Sequence, residues 1–526
     1  MRSFAALLAA AASAFVVAVA ILGLTAAPAN AHAVLVASSP IDGAHLDSAP
    51  AQVTLTFDES IRLIPGAAQV ISNTGLRADG GAAHLSADET TIMIPLRPDL
   101  PRGSYSATWR VVSADTHIVS GSISFGVGQD AGAPVITPAS HSGPLIIGTA
   151  VARGFLYVGL VLGLGVALVC RVLWPWTLRL TRIRALILSG WALIGLATLA
   201  QFLLQGPQSL NLGWAAIVST DALSDTAHSR TGVVLIVRMV VLGLLGIAGL
   251  RKGRASPFIF VACAVGLAVT VVIDGHAGAG EQMWLATAVT TAHVVAMTVW
   301  LGGLVALGVA VLPSGHVATL RRWSLTAFAC VSVLILTGEY QAWRQVRPVE
   351  AMWSTGYGIT LSIKLAIVTA IVAIAYLGQR RLDPQVLRRT VPAELALGLA
   401  VVVATTVLVS QAPGRTTYGP PQTLTAPLDT RSAWIHLNTT HRGPTSITVS
   451  VLDAHSRPIT ADSVTGTLSS DDAGIAALKV KFTPTRDGEW RSAYAVVPLP
   501  GSWTLNLAVE FSTADAVTTT AHFHVW

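Results

Sequence analysis

Asp115 and His117 stand two residues apart in the run Ser113-Ala-Asp-Thr-His-Ile-Val-Ser-Gly-Ser-Ile-Ser-Phe125. In an extended segment, residues i and i+2 project from one face, and carboxylate and imidazole are both metal-ligand types. His32 follows Ala29-Asn30-Ala31, small residues of the kind that precede a signal-peptidase cut. Cleavage there would start the mature chain on a histidine, offering an amine and a ring nitrogen from one residue. An amine, two imidazoles and a carboxylate are the nitrogen and oxygen donors that suit Cu(II) in a tetragonal arrangement. Each residue also has a plain explanation, since Asp often caps a turn and His is common on surfaces.

A second set of such residues lies in apolar surroundings: His276, Met283, His293 and Met297. His293 and Met297 are i and i+4, hence on one helix face. At about 1.5 Å per residue, His293 falls roughly 15 Å from Met283, near the middle of a spanning helix. Imidazoles and thioethers spaced from mouth to midplane could pass a soft or borderline metal. A packed, hydrogen-bonded His293 fits the same sequence. Arg153, Arg238, Glu339 and Lys364 also fall inside apolar segments, where ionisable groups are costly. Ion pairs between helices or snorkelling to an interface account for them. Histidines such as His276 and His293 can also ligate haem, which leaves a membrane redox protein as a further reading.

Two kinds of scaffold must position these residues. The chain is 52% hydrophobic and 11% charged, with a mean hydropathy of +0.62. Soluble domains carry about 25% charged residues, so most of this chain is built for a bilayer. Arg2 and the apolar stretch from Phe4 to about Leu24 read as a signal peptide over 1–31, or else as an uncleaved anchor. Residues 32–127 alternate apolar and polar residues over Val53–Phe57, Ala67–Ser72, Thr90–Pro95, Tyr105–Val112 and Gly121–Val127, with turn residues between. That is an all-β sandwich or barrel. A linker over 128–143 follows.

Residues 144–411 hold eight apolar segments, at roughly 145–170, 184–204, 231–250, 257–273, 284–312, 323–343, 359–379 and 392–410. They predict an all-α bundle of about eight transmembrane helices. With the first domain outside, thirteen basic residues fall in inner loops, among them Arg171, Arg179, Arg251, Lys252, Arg321, Arg380 and Arg389. Only Arg230, Arg344 and Arg347 fall in outer ones. This matches the positive-inside rule with both ends of the bundle outside, so the net charge of +6 reports topology rather than nucleic acid. Residues 412–526 alternate again, over Ser446–Leu452, Ala476–Phe482, Trp503–Val509 and Thr518–Trp526, and predict an immunoglobulin-like β-sandwich. Cys170, Cys263 and Cys330 are widely spaced and make neither a metal pattern nor a disulfide framework.

His32-Ala-Val-Leu-Val-Ala-Ser-Ser-Pro-Ile-Asp-Gly43, the Pro50–Glu59 strand and Asp115-x-His117…Gly121…Phe125 resemble the CopC copper-binding family, over essentially all of 32–127. The resemblance implies a small Greek-key, cupredoxin-like β-barrel and makes His32, Asp115 and His117 the Cu(II) ligands. Thr116 departs from the family's usual glycine, which bears on the local turn but removes no ligand. Some members add a methionine-rich Cu(I) site; Met93 is the only methionine in 32–127, so this domain is expected to bind Cu(II) alone. His45 and His84 are read as surface residues.

His276-Ala, His293…Trp300-Leu-Gly-Gly303, Thr337-Gly338 and Tyr357-Gly-x-x-Leu-x-x-Lys364 resemble the CopD copper-resistance membrane family, over about 145–410. That implies copper movement across the inner membrane, with His276 and His293 as path histidines. Asp487-Gly-Glu-Trp490 and Leu499-Pro-Gly-Ser-Trp503 resemble YtkA-like outer domains over those short stretches. His522 and His524 share a strand face there, as a second metal site or as surface residues.

The combined reading is a bacterial multi-pass protein of the cytoplasmic membrane, both β domains extracytoplasmic. It binds copper outside and transports it, inward by preference, in copper homeostasis or resistance. Cu(II) occupies the outer domain, and Cu(I) is an open alternative within the bundle. A membrane-anchored copper chaperone or sensor is the rival. No G-x-x-x-x-G-K-[ST] motif occurs, so no nucleotide is expected to drive it, and no catalytic residues are assigned. The expected partners are copper and the lipid bilayer; nothing in the sequence names a protein partner.

Overall fold

The computed structural model describes Ala33 and residues 35–526, apart from 65, 73–75, 114–117, 130, 132–142, 210–211, 251–255, 274–282, 316–319, 382–383, 473–474, 486–487, 498 and 513–514. Two compact units emerge: one runs through 139–414, and the other joins 32–138 with 415–526.

The N-terminal domain is two facing sheets. One has the order β1 (Leu35–Ser39), β3 (Gln52–Phe57), β7 (Thr91–Pro95), β6 (His84–Leu85). The other has the order β2 (Ala44–Leu46), β9 (Ile118–Val127), β8 (Gly103–Ser113), β4 (Ile61–Leu63), with β5 (Gln69–Ser72) also on β8. The alternation that predicted the strands is the alternation of burial. In β3, Val53, Leu55 and Phe57 point inward while Thr54 and Thr56 are half-buried, as a period of two requires. Val53, Leu55, Ile92, Ile94, Ala107, Ile123 and Phe125 form the centre of the core.

The helical unit is built from α1 (Gly143–Leu160) and α2 (Val166–Leu173), α3 (Thr181–Ser209), α4 (Arg230–Leu250), α5 (Ser256–Ile273), α6 (Met283–Ala306), α7 (Leu320–Gln345), α8 (Gly356–Arg381) and α9 (Pro384–Val409). A five-residue π turn, Val161–Gly165, joins α1 to α2 into one span. A second, Leu307–Val311, extends α6. Among the described residues, seven helices are long and apolar enough to cross a membrane; in α5 the described apolar stretch, Phe260–Ile273, is shorter. Each of the eight expected segments is thus a helix.

Glycines let α6 sit tightly among its neighbours. A Cβ on Gly165 would enter the Thr298 carbonyl, and one on Gly302 would enter the backbone of Gly165. A Cβ on Gly303 would enter the ring of Trp323. Small residues at such crossings let helix backbones approach within a bilayer. The Trp300-Leu-Gly-Gly303 motif is therefore the seam that fixes α6 against the first and sixth spans.

The C-terminal domain is a second sandwich. One sheet has the order β10 (Gln422–Leu428), β11 (Arg431–Leu437), β12 (Gly443–Leu452), β17 (Trp490–Val497), β16 (Thr483–Pro484), with β13 (Pro458–Ile459) on β12. The other has the order β15 (Ile475–Lys481), β14 (Ser463–Ser470), β18 (Gly501–Ser512), β19 (Asp515–Val525). Trp503, 1% exposed, is the largest side chain of its core. Arg442, just before β12, donates from Nη1 to Oδ2 of Asp58 in the N-terminal domain at 3.1 Å.

Candidate metal centre

His32, Asp115, His117 and His276 lie outside the described residues. The strands around the first three nevertheless lead to one corner. β1 begins at Leu35, three residues after His32, and Leu35 pairs with Phe57, the last residue of β3. β8 ends at Ser113, two residues before Asp115, and Ser113 pairs with Ile61, the first residue of β4. β9 begins at Ile118, just after His117, opposite Val112. Asp58-Glu-Ser60 joins β3 to β4. This short corner connects the end of β3, opposite Leu35, with the start of β4, opposite Ser113, one in each sheet.

Other residues of the CopC-like pattern hold that arrangement. The Asp42 carboxylate accepts from the Ser124 amide at 2.7 Å, tying the turn after β1 to β9, and Gly43 supplies the positive φ of +77° that follows. Burial pushes the Asp42 carboxyl up, while the hydrogen bonds from Ser124 pull it down. Gly121 lies opposite Trp109, and any Cβ there would enter the indole. Trp109 in turn packs edge-on to Phe57 at 6.2 Å. His45 and His84 are exposed.

In the bundle, His293 is half-buried on α6, and its Nδ1 lies 2.8 Å from the Thr337 hydroxyl on α7. That hydroxyl has one proton, directed at the Val333 carbonyl one turn back. With the proton on that carbonyl, the oxygen accepts from Nδ1–H and the lone pair falls on Nε2, the form a metal binds. A partner on the far ring nitrogen is the usual way a protein orients a histidine ligand. Gly338 lies against the same ring, its Cβ position 3.6 Å from Cε1. The charge of Lys364 on α8 acts on the ring as well. Thr337-Gly338 and Lys364, singled out as motif residues, are thus the surroundings of His293. Met297 is half-buried against the main core of the bundle.

Among the described residues no group of three or more His, Cys, Asp or Glu side chains could hold a metal. Arg238, 1% exposed, donates to Gln201 Oε1 at 3.1 Å, Thr270 Oγ1 at 3.2 Å and the Thr270 carbonyl at 2.8 Å. Neutral groups on α3 and α5 hold it. Glu339 is exposed. Glu394, which the sequence reading passed over, is 5% exposed and lines a cavity of about 390 Å³ with Trp300, Trp323, Ser332 and Tyr376. Its neighbours Arg388 and Arg389 mark a helix end, yet α9 begins at Pro384 and carries Glu394 inside. The three cysteines are free; Cys170 is buried and the others half-buried.

In the C-terminal domain, His522 and His524 are both exposed on β19, opposite Thr504 and Ser502. His522 Nδ1 lies 3.0 Å from the Thr504 hydroxyl. His524 packs edge-on to Trp526 at 4.7 Å.

With this geometry in hand, two family models match the chain: a CopC domain over residues 35–128 and Copper resistance protein D over residues 317–408. The second covers Thr337, Lys364 and Glu394 and is narrower than the 145–410 of the resemblance. The copper transport protein CutJ of Bacillus subtilis (strain 168) is 30% identical over 402 residues, 72% of this chain and 74% of its own. Copper resistance protein C of Xanthomonas campestris pv. juglandis is 41% identical over 113 residues, 20% of this chain and 86% of its own. The crystal structure of CopC from Methylosinus trichosporium OB3b aligns with 20% of this chain and 100% of its own, at 28% identity and a TM-score of 0.17.

Proposed function

Because the chain belongs to the family of copper-resistance and copper-transport proteins with CopC and CopD domains, we propose that it takes Cu(II) outside the cytoplasmic membrane and passes copper inward through its helices. Copper is the cargo. Capture falls to His32, with its α-amine once the signal peptide is removed, and to Asp115 and His117. The path then runs past His276 to His293, with Met297 one turn further along α6. The loop charges support a topology with both β domains outside.

The observation that carries the transport reading is His293 itself. It is an imidazole inside an apolar span, with Nδ1 hydrogen-bonded to a buried threonine, and this supports a role for Nε2 as the metal-facing nitrogen. The packing of Met297 into the bundle core favours the rival, a copper chaperone anchored by the helices. Cellular copper content separates the two. Transport requires that copper accumulate with the wild-type protein and not with His293→Ala at equal expression. Equal copper in both would leave the anchored chaperone. A Soret band in the purified protein would instead point to haem on the bundle histidines.

A further inference from the structure

Glu394 lies about 15 Å along α9 from Pro384, inside an apolar span and only 5% exposed. A carboxyl is costly at such a position, and those that occur there tend to face a ligand or a cavity. Glu394 lines a cavity of about 390 Å³, within the range of about 300–1,000 Å³ usual for small-molecule sites. α6 and the π turn that extends it contribute Trp300, Leu304 and Leu307 to the wall, and α9 contributes Leu387, Val391 and Glu394. Each set is i, i+4 and i+7, one face of its helix.

The opposite wall is split. α7 packs along α6 and α8 along α9, while among the described residues α7 and α8 barely meet. Phe328 and Ile335 on α7 and Tyr376 on α8 line the cavity and are exposed. The cavity therefore opens between these two helices, on a face that a bilayer would cover. Its occupant comes from the lipid.

The lining narrows the chemistry of that occupant. Among the described residues no Lys, Arg or His lines the cavity, so an anionic head would meet only a carboxyl. No Cys or Met lines it either, so copper would find no soft ligand there. A cationic head is expensive to carry through hydrocarbon. What fits is a neutral molecule with a polar group for Glu394 and an apolar body. Trp300, Trp323, Phe328 and Tyr376 supply aromatic walls, and Trp323 is itself held against Trp174, the ring centroids 5.8 Å apart. Such rings favour a flat aromatic partner, stacked or edge-on.

We propose that this cavity binds a quinone or quinol drawn from the bilayer, with Glu394 holding one of its oxygens. A protonated carboxyl donates to a quinone carbonyl, and an ionised one accepts from a quinol hydroxyl. One residue thus serves both forms. The gap between α7 and α8 admits the ring and leaves the hydrocarbon chain in lipid.

The test uses the full-length protein in phosphatidylcholine nanodiscs, with a radiolabelled decyl-benzoquinone as probe and empty nanodiscs as the blank. Wild type should bind the probe saturably above the blank. Glu394→Leu should weaken binding by about tenfold or more, the worth of a buried hydrogen bond to a carboxyl, at an unchanged or higher melting temperature. Glu394→Gln, whose amide both donates and accepts, should stay near wild type. Decylcyclohexane, which has the chain without the oxygens, should not compete. Binding no greater than the blank would overturn the proposal, as would equal affinity in wild type and Glu394→Leu. Full competition by decylcyclohexane would also overturn it and make the cavity a slot for acyl chains.

Discussion

The ring of His293 and the hydroxyl of Thr337 share a 2.8 Å hydrogen bond between the fifth and sixth spans, and the threonine hydroxyl also lies in donating range of the Val333 carbonyl. With its proton on that carbonyl, the threonine acts on the histidine as an acceptor. Thr337→Val keeps the shape, removes that acceptor and frees the ring to change tautomer. Loss of such an outer partner costs a metal site roughly 10–100-fold in affinity or activity. Copper accumulation should fall accordingly in Thr337→Val and survive in Thr337→Ser. Normal accumulation in the valine variant would remove the orienting role.

The proposed outer and membrane sites share no ligands, so their losses should separate. In His293→Ala, copper accumulation should stop while the purified protein still binds one Cu(II). Met297→Leu keeps volume and apolarity and should cost under about 1.5 kcal/mol in stability. Slower accumulation by Met297→Leu at unchanged melting temperature would assign its sulfur to the path; unchanged accumulation would leave it to packing.

One residue added before His32 in the mature protein turns the terminal amine into an amide. Competition titration should show Cu(II) binding weakened by more than the roughly 10–100-fold that an outer-shell loss costs. Undiminished affinity would rule out the amine as a ligand.

Gly302 has no room for a side chain, because its Cβ would enter the backbone of Gly165. Gly302→Ala should push α6 away from the first span and destabilise the bundle by about 1–3 kcal/mol, the usual cost of overpacking. Ala at Gly243, where no atom lies within 4 Å of the Cβ position, is the control. Thermal unfolding in detergent should lower the melting point for the first and leave it for the second.

Asp42 holds its proton more tightly folded than unfolded, because burial outweighs the hydrogen bonds from Ser124. Its contribution to stability is therefore full below the ordinary carboxylate range and is lost as pH rises through the raised folded value. Asp42→Asn keeps an acceptor for the Ser124 amide and does not titrate. The loss of stability across mildly acidic pH should be smaller in that variant. Identical pH profiles would mean that Asp42 titrates alike in both states.

The strands and helices were legible because period-two alternation and long apolar runs follow directly from burial in sheets and in bilayers. Thr90–Pro95 was expected as a strand and Thr91–Pro95 is one; the other expected strands shift by only a few residues. Contacts between distant residues were not legible. Nothing near Arg238 in the chain points to Gln201 and Thr270 on other helices. Glu394 was passed over, and only the packing of α9 shows it buried. The proposed capture residues were read from residue types and resemblance, and His32, Asp115 and His117 lie outside the described residues. Thr337 entered as a motif letter, and only the hydrogen bond gave it a task.

The bond between Asp58 and Arg442 bears on the number of membrane crossings. The proposed topology, with both β domains outside, requires an even number of crossings between them, and the Asp58–Arg442 pair is one that only domains on the same side can make. Among the described residues seven helices are long and apolar enough to cross, so that topology also needs α5 to cross. Parity then makes every span indispensable in a way that packing does not. In that topology, removing any single helix would leave Asp58 and Arg442 on opposite faces of the membrane.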